Sequence, residues 1–432
     1  ALNNLYTGTT SSSCPNGPQS PVTTNLTSPT FMWSYAVGSG GVFLSPVLSL
    51  DGKKVAFIEA APSGGAAFHV LTWVAGQGTN ATTGTVAPGT GGSSATTLAF
   101  TNTTVTGCSA SVAADSNSSP YVDYTNDVAY VGADNGRLYR IKGVFNGTPT
   151  LDYCVTVAAG AKLTSPVYDS VSGKVFVSDG QNVYGYTPGA SSFTAAGSIA
   201  IAGTAGSIIL SPVVDSTNGF VYVFSSHNAS NAKSIVSQMP VSLASHVDAA
   251  IGPALSSSSG YILDGAFDNQ YYAAGPSSGS LYVWGTQAGA STKPALYTIT
   301  FAANGEMNST PAMSNNQNIN PAANPSGMCS PLTEFYDGTT DRLFVGVGTF
   351  GATSGGNQVT AWNITSRITS SSASPAATAV NEWGGTSGFT VDNNSSTYQA
   401  SSIYFGTLAP NSTTSCGSNQ YCAVKLTQSL LE

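Results

Sequence analysis

Acid–base chemistry, if this chain performs any, has to come from its few carboxylates. Asp and Glu number 20 together. Most of the Asp lie in short polar turns: Asp51, Asp123, Asp127, Asp134, Asp169, Asp179, Asp215, Asp268, Asp337, Asp341 and Asp392. An Asp in a turn accepts the amide hydrogens of its own loop, so these need no catalytic role. Outside the turns stand Glu59, Glu306, Glu334, Glu382, Asp115, Asp248 and Asp264. A glycosidase needs two carboxyl groups about 5–10 Å apart across the scissile bond. Glu306 and Glu382 are the pair that could serve, but nothing in the spacing brings them together.

The other chemistry-bearing types are equally sparse. Three histidines (His69, His227 and His246) show no repeated spacing, and no Gly-x-Ser-x-Gly nucleophile motif occurs. His69 lies in the alternating run AAFHVLTWV (66–74) and reads as a strand residue. The turns DGAFDN (264–269) and DYTND (123–127) carry oxygen ligands suited to calcium, without the ligand order of an EF-hand. Tyr271, Tyr272, Trp284 and Trp362 could stack on sugar rings, although apparent strand positions favour burial. No catalytic, cofactor-binding or metal-binding residue is assigned, no cofactor is expected, and the expectation is a protein that is not an enzyme.

Six cysteines (Cys14, Cys108, Cys154, Cys329, Cys416 and Cys422) fall in Gly/Ser-rich surroundings with no metal-ligand spacing. An even, scattered set predicts three disulfides formed in an oxidising compartment. Cys416–Cys422 would close a local hairpin tip, Cys108–Cys154 would bracket one repeat, and Cys14 would reach Cys329.

Composition narrows the class further. Charged residues are 7% of the chain, against about 25% in an ordinary soluble domain. Hydrophobic residues are 41%, with 20 Tyr and 17 Phe, so the chain can build a core. Strong β-formers abound while the helix-favouring Lys, Glu, Arg and Gln are scarce. The net charge is −8, and the 12 basic residues form no stripe. Phosphate backbones therefore find no complementary surface, and no nucleic-acid partner is expected. No apolar run is long enough to span a bilayer, so no membrane insertion is expected. The polar start without Met fits a mature chain after leader removal, which predicts a secreted or cell-surface location. Asn25, Asn80, Asn102, Asn146, Asn308 and Asn363 offer glycosylation sequons.

What positions these residues is a repeat. The clearest copy, LTSPVYDSVSGKVFVSDGQNVYGY (163–186), is followed by LSPVVDSTNGFVYVFSSHN (210–228). Related copies begin near 44, 118, 261, 329 and 388. Ser-Pro opens a strand, because Pro has no donor and suits a first position. Asp then starts a polar turn that Gly completes. KVFVSD and VAYVGA alternate apolar and polar residues, the period of a half-buried strand. A second tight turn leads to a third strand, and a less regular fourth follows. Four strands in roughly 50 residues make one propeller blade.

The fold expected is thus all-β, a β-propeller of seven four-stranded blades with its ring closed by terminal strands; six or eight blades are the alternatives. Residues 41–432 form the propeller, with repeats near 44–75, 118–158, 163–200, 210–243, 261–301, 329–365 and 388–428. Residues 1–40 form an extension. Its apolar part FMWSYAV (31–37) is expected to pair into the last blade, or else to add a strand to a neighbouring molecule. The stretches 88–97 and 315–327 read as loops.

The run AYVGADNGRLYRI (129–141) is similar to the quinoprotein-like β-propeller repeat, and the likeness extends over most of residues 44–428. That resemblance implies the fold, and membership among non-catalytic secreted bacterial representatives. Catalytic members of the family hold pyrroloquinoline quinone with calcium, docked by a Trp recurring after Thr-Gly. Here the five Trp do not recur at one repeat position, so the cofactor is not carried over. The functional expectation is a structural or adhesive extracellular protein, self-assembling into filaments or a surface layer. A soluble carbohydrate- or protein-binding propeller is the alternative, with a secreted hydrolase or lyase third. Partners would be further copies, or extracellular glycan or protein.

Overall fold

The computed structural model describes residues 2–3, 30–60, 65–79, 85–100, 105–108, 115–201, 208–228, 232–255, 263–286, 294–311, 313–318, 328–348, 358–369, 373, 375–380, 385–392, 402–408 and 423–427. The chain divides into two compact units, the first comprising 1–5, 27–222 and 239–246, the second 6–26, 223–238 and 247–432. The architecture is a seven-bladed β-propeller, each blade an antiparallel sheet whose strands follow one another in sequence.

In the first unit, sheet one runs Val47–Leu48, Lys54–Glu59, Ala67–Thr72 and Ser94–Ala99. Sheet two follows with Tyr121–Asp123, Val128–Gly132, Arg137–Lys142 and Thr150–Thr156. Sheet three is Val167–Asp169, Lys174–Ser178, Asn182–Pro188 and Phe193–Ala200. The Asp turn works as its chemistry predicts: Asp169 accepts the amides of Val171 and Ser172, holding the first two strands of sheet three in register. The Ser-Pro motif does more than start a strand. Ser45 N–H donates to Ser119 Oγ, and Ser119 N–H donates to Ser165 Oγ, tying three successive blades. The preceding Ser118 Oγ accepts Gly132 N–H at 2.8 Å, fastening the first strand of sheet two to the end of its second.

Blades stack through their apolar faces. Ile58, Phe68 and Val70 of sheet one pack on Ala129, Tyr139 and Ile141 of sheet two. The opposite face of sheet two, with Tyr130 and Leu138, meets Val175 and Val177 of sheet three. A disulfide joins Cys108 to Cys154, Cα–Cα 5.3 Å, as the bracketing of one repeat predicts. The apolar segment 31–37 packs against sheet one. Trp33, Tyr35 and Val37 pack on Val55, Phe57 and Leu71 of sheet one, and Ala36 N–H donates to Val86 O. Its amides find partners near home, in the connection after the third strand of sheet one.

Sheet four is Val213–Asp215, Phe220–Asn228, Lys233–Pro240 and Val247–Pro253. The second unit holds sheet five (Gly265–Phe267, Ser280–Thr286, Pro294–Thr300 and Met313–Asn318). In sheet six, Met328–Cys329 and Thr333–Tyr336 both pair with Asp341–Gly348, followed by Gln358–Asn363 and Ala377–Val380. Sheet seven has Thr390–Asp392, Ser402–Gly406 and Ala423–Thr427 among the described residues. Phe344 and Ala361 of sheet six pack on Phe389, Ile403 and Phe405 of sheet seven.

Four local readings are corrected. Residues 94–97, expected in a loop, belong to the strand Ser94–Ala99, and 315–318 to the strand Met313–Asn318. Both are fourth strands of their blades, whose polar composition conceals them. Residues 269–274 form a short helix inside an otherwise strand-built unit. Asp268 caps it by accepting Tyr271 N–H at 2.9 Å, and a satisfied cap outweighs the β-preference of the two Tyr. Cys329, expected to pair with Cys14, is a free buried thiol; Cys14, Cys416 and Cys422 lie outside the described residues.

Candidate functional site

The turn carboxylates are consumed by the backbone. Asp123 accepts from the amides of Thr125 and Asn126, Asp179 from Gln181 and Asn182, Asp215 from Thr217 and Asn218, and Asp337 from Thr339 and Thr340. Asp127 accepts from Phe145 and Asn146 amides. Both turns proposed for calcium therefore spend carboxylate oxygens on protein donors. Among the described residues no cluster of three or more His, Cys, Asp or Glu is arranged to hold a metal ion.

Two groups of ionisable residues stand apart from this pattern. The first, in the second unit, gathers acids from sheets five and six. Asp264 precedes the first strand of sheet five and accepts Leu332 N–H at 2.9 Å; enclosure by protein pushes its carboxyl up to about 7. Asp268, at the other end of that strand, accepts Tyr271 and Ser280 amides. Asp341 is 2% exposed and accepts Asn269 N–H at 2.6 Å. Glu334 lies on the same face of the neighbouring strand, since Tyr336 is the register partner of Asp341. Burial, then a hydrogen bond with Asp341, then the charges of Asp341 and Asp268 raise the Glu334 carboxyl well above its ordinary range. Burial also raises Asp341 and Asp268. Crowding of like charges away from water favours the protonated form of Glu334. Asp268 and Asp341 were read as turn residues. Their grouping with Glu334 depends on how sheets five and six meet, which no local pattern reveals.

The second group, in the first unit, is built by register within sheet one. His69 is the cross-strand partner of Phe57 on one side and of Thr97 on the other. Glu59, two residues from Phe57, shares that face. His69 Nε2 lies 2.8 Å from Glu59 Oε2, and His69 Nδ1 lies 3.1 Å from Thr97 Oγ1. Glu59 Oε1 accepts Gly40 N–H at 2.5 Å, and the Phe57 ring stacks on the imidazole. The imidazole is fully buried and Glu59 nearly so, whereas Thr97 is exposed. Alternation in AAFHVLTWV placed His69 in a strand; its contact with Glu59 and Thr97 was not readable.

The remaining candidates are dispersed. Glu306 is exposed in a turn, and Glu382 lies outside the described residues. Asp115 accepts Ser116 N–H, and Asp248 accepts Ser237 Oγ–H. His227 and His246 are each partly buried. Trp284, Trp362 and Tyr271 are buried, as packing between blades requires, while Tyr272 is 68% exposed. Asn146, Asn308 and Asn363 are exposed; Asn25, Asn80 and Asn102 lie outside the described residues.

Neither a family model nor a curated protein matches the chain. Solved structures do. Sqt1 of Saccharomyces cerevisiae is 8% identical, with 90% of this chain and 93% of that one covered and a TM-score of 0.49. BamB from Moraxella catarrhalis is 12% identical, with 90% and 99% covered and a TM-score of 0.41. The dihydro-heme d1 dehydrogenase NirN is 11% identical, with 79% and 58% covered and a TM-score of 0.45. At such identities the likeness concerns architecture alone, and the assignment of the chain rests at the level of the β-propeller.

Proposed function

We propose that this chain is a secreted, non-enzymatic β-propeller that acts as a structural or adhesive extracellular protein and associates with further copies of itself. The observation that carries the reading is the way charge is neutralised on the spot. Turn carboxylates bind turn amides, Lys174 Nζ donates to Val241 O, and Arg367 donates to Ser278 O, Gly279 O and Ser280 Oγ. With only 7% of the residues charged, little repulsion is left to keep copies apart. The Cys108–Cys154 disulfide is compatible with an oxidising exterior, and no helix among the described residues is long and apolar enough to cross a membrane. Nucleic acid and membrane lipid are not among the proposed partners.

A second reading, binding of extracellular carbohydrate, is favoured by Tyr272, whose exposed ring stands beside Phe267 and Tyr271. Sedimentation of the native chain over a hundredfold concentration range, with negative-stain microscopy of the same samples, separates the two. Larger species growing with concentration, seen as filaments or sheets, support assembly. A monodisperse monomer throughout overturns it, and saturable glycan binding lost in Tyr272→Ala would then establish the second.

A further inference from the structure

The Thr97–His69–Glu59 group has the connectivity of an activated nucleophile. A carboxylate accepts and cannot donate, so the 2.8 Å contact with Glu59 Oε2 requires a proton on His69 Nε2. In the neutral ring Nδ1 is then a bare acceptor and Thr97 Oγ1–H donates to it across 3.1 Å, whereas in the imidazolium Nδ1–H donates to Thr97 Oγ1. Glu59 is itself fixed by Gly40 N–H, and Gly38 lies so close to the carboxylate that a Cβ there would overlap it. The order is the hydroxyl of an exposed residue, then a buried imidazole, then a buried and immobilised carboxylate. Such an order lets the imidazole take the hydroxyl proton while the carboxylate stabilises the imidazolium.

Sheet register supplies the remaining element. Phe100 N–H donates to Ala66 O, so residues 100 and 66 form a hydrogen-bonded antiparallel pair. Pairing alternates along the ladder, which makes Thr97 and His69 a non-hydrogen-bonded pair. Side chains in such pairs approach most closely, which accounts for the hydroxyl–imidazole contact. The same alternation turns the Thr97 N–H away from the neighbouring strand, on the side of Ser94–Ala99 that pairs with no other strand among the described residues. A backbone donor thus stands beside the hydroxyl, where a carbonyl under attack would develop negative charge.

We propose that Thr97 is a covalent acyl-acceptor site for activated esters, with His69 as its base and Glu59 as the positioning residue. Thr97 Oγ1 attacks the ester carbonyl carbon, and the new Oγ1–C bond replaces the bond from that carbon to the leaving oxygen. The hydroxyl proton passes to His69 Nδ1 and from there to the leaving oxygen, so no further reactant is needed. This assignment is independent of whether the chain assembles, because a single acylation per chain requires no turnover.

The test treats the folded full-length chain with p-nitrophenyl acetate and, separately, an aryl fluorophosphonate, and maps the adducts by peptide mass spectrometry. Labelling at Thr97 should be about a hundredfold faster than at any other exposed Ser or Thr, the gain a positioned base provides. Thr97→Val should abolish that adduct, Thr97→Ser should keep it, and Glu59→Gln should slow it about tenfold with the fold intact by circular dichroism. Adducts spread evenly over surface hydroxyls in the wild-type chain would overturn the proposal. So would a fold-competent Thr97→Val chain that labels as the wild type does. If a variant fails to fold, the wild-type adduct map still decides.

Discussion

The carboxylate of Asp264 accepts the backbone N–H of Leu332, 68 residues further along the chain, at 2.9 Å. One residue before the first strand of sheet five is thereby tied to the residue that precedes the Thr333–Tyr336 strand of sheet six. An acid doing this work in an enclosed position holds its proton more tightly than it would in water.

That property sets a pH dependence. With the folded Asp264 titrating at about 7 and an unfolded Asp near 3.9, the folded state binds the extra proton between these values. Stability therefore falls as pH rises through that window, and the raised Glu334 acts in the same direction. The melting temperature should be higher near pH 5 than near pH 8. Asp264→Asn keeps an acceptor for Leu332 without the charge, and should add roughly 1–3 kcal/mol near pH 8 while flattening the profile. A wild-type melting temperature that climbs steadily from pH 5 to pH 8 would contradict this.

Asp169 should behave oppositely. Burial alone would raise its carboxyl, but the Ser216 hydroxyl and the amides of Ser172 and Val171 donate to it and outweigh burial, and its affinity for the proton is lowered. Its contribution is present at neutral pH and is lost in acid as pH drops through the folded value. Asp169→Ala should cost about 1–3 kcal/mol in urea denaturation at pH 7, and less near pH 3. An equal cost at both pH values would show that the ionised form is not what matters.

The Cys108–Cys154 bridge closes a loop with a sequence separation of 46. Chain entropy assigns such a cross-link about 4 kcal/mol. The Cys108→Ser, Cys154→Ser double variant should unfold at a correspondingly lower denaturant concentration. Reducing agent should shift the wild type toward the same midpoint and leave the variant unmoved.

Two turn glycines should respond differently to the same substitution. Gly136 has φ of +76°, and a Cβ there would overlap the Ala158 carbonyl oxygen. Gly173 has φ of +67° with open space around it. Gly173→Ala should cost about 1 kcal/mol, the strain of a left-handed backbone alone. Gly136→Ala adds a collision with backbone and should cost roughly 2–4 kcal/mol. Similar midpoints for the two variants would remove steric crowding as the reason for glycine in the ADNGR turn.

The repeat, the all-β class, the Asp turns and the Cys108–Cys154 pairing were legible because each depends on residues near one another in sequence. Strand alternation has a period of two, an Asp turn closes within four residues, and the bridge spans one repeat. The polar fourth strands, such as Ser94–Ala99, were missed because alternation of Ser, Thr and Ala carries little hydrophobic contrast. The helix Asn269–Ala274 was missed because its two Tyr favour strands and only the Asp268 cap decides otherwise.

The sequence by itself determined the blade and the number of times it is written. Tertiary structure alone decided that Glu334 meets Asp341 and Asp268, that Trp33 and Tyr35 cover sheet one, and that His69 joins Thr97 to Glu59. The physical reason is that these contacts arise from strand register and from the stacking of one sheet on the next. A one-residue change of register would send His69 to the other face of its strand while leaving its alternating pattern as apolar and as regular as before.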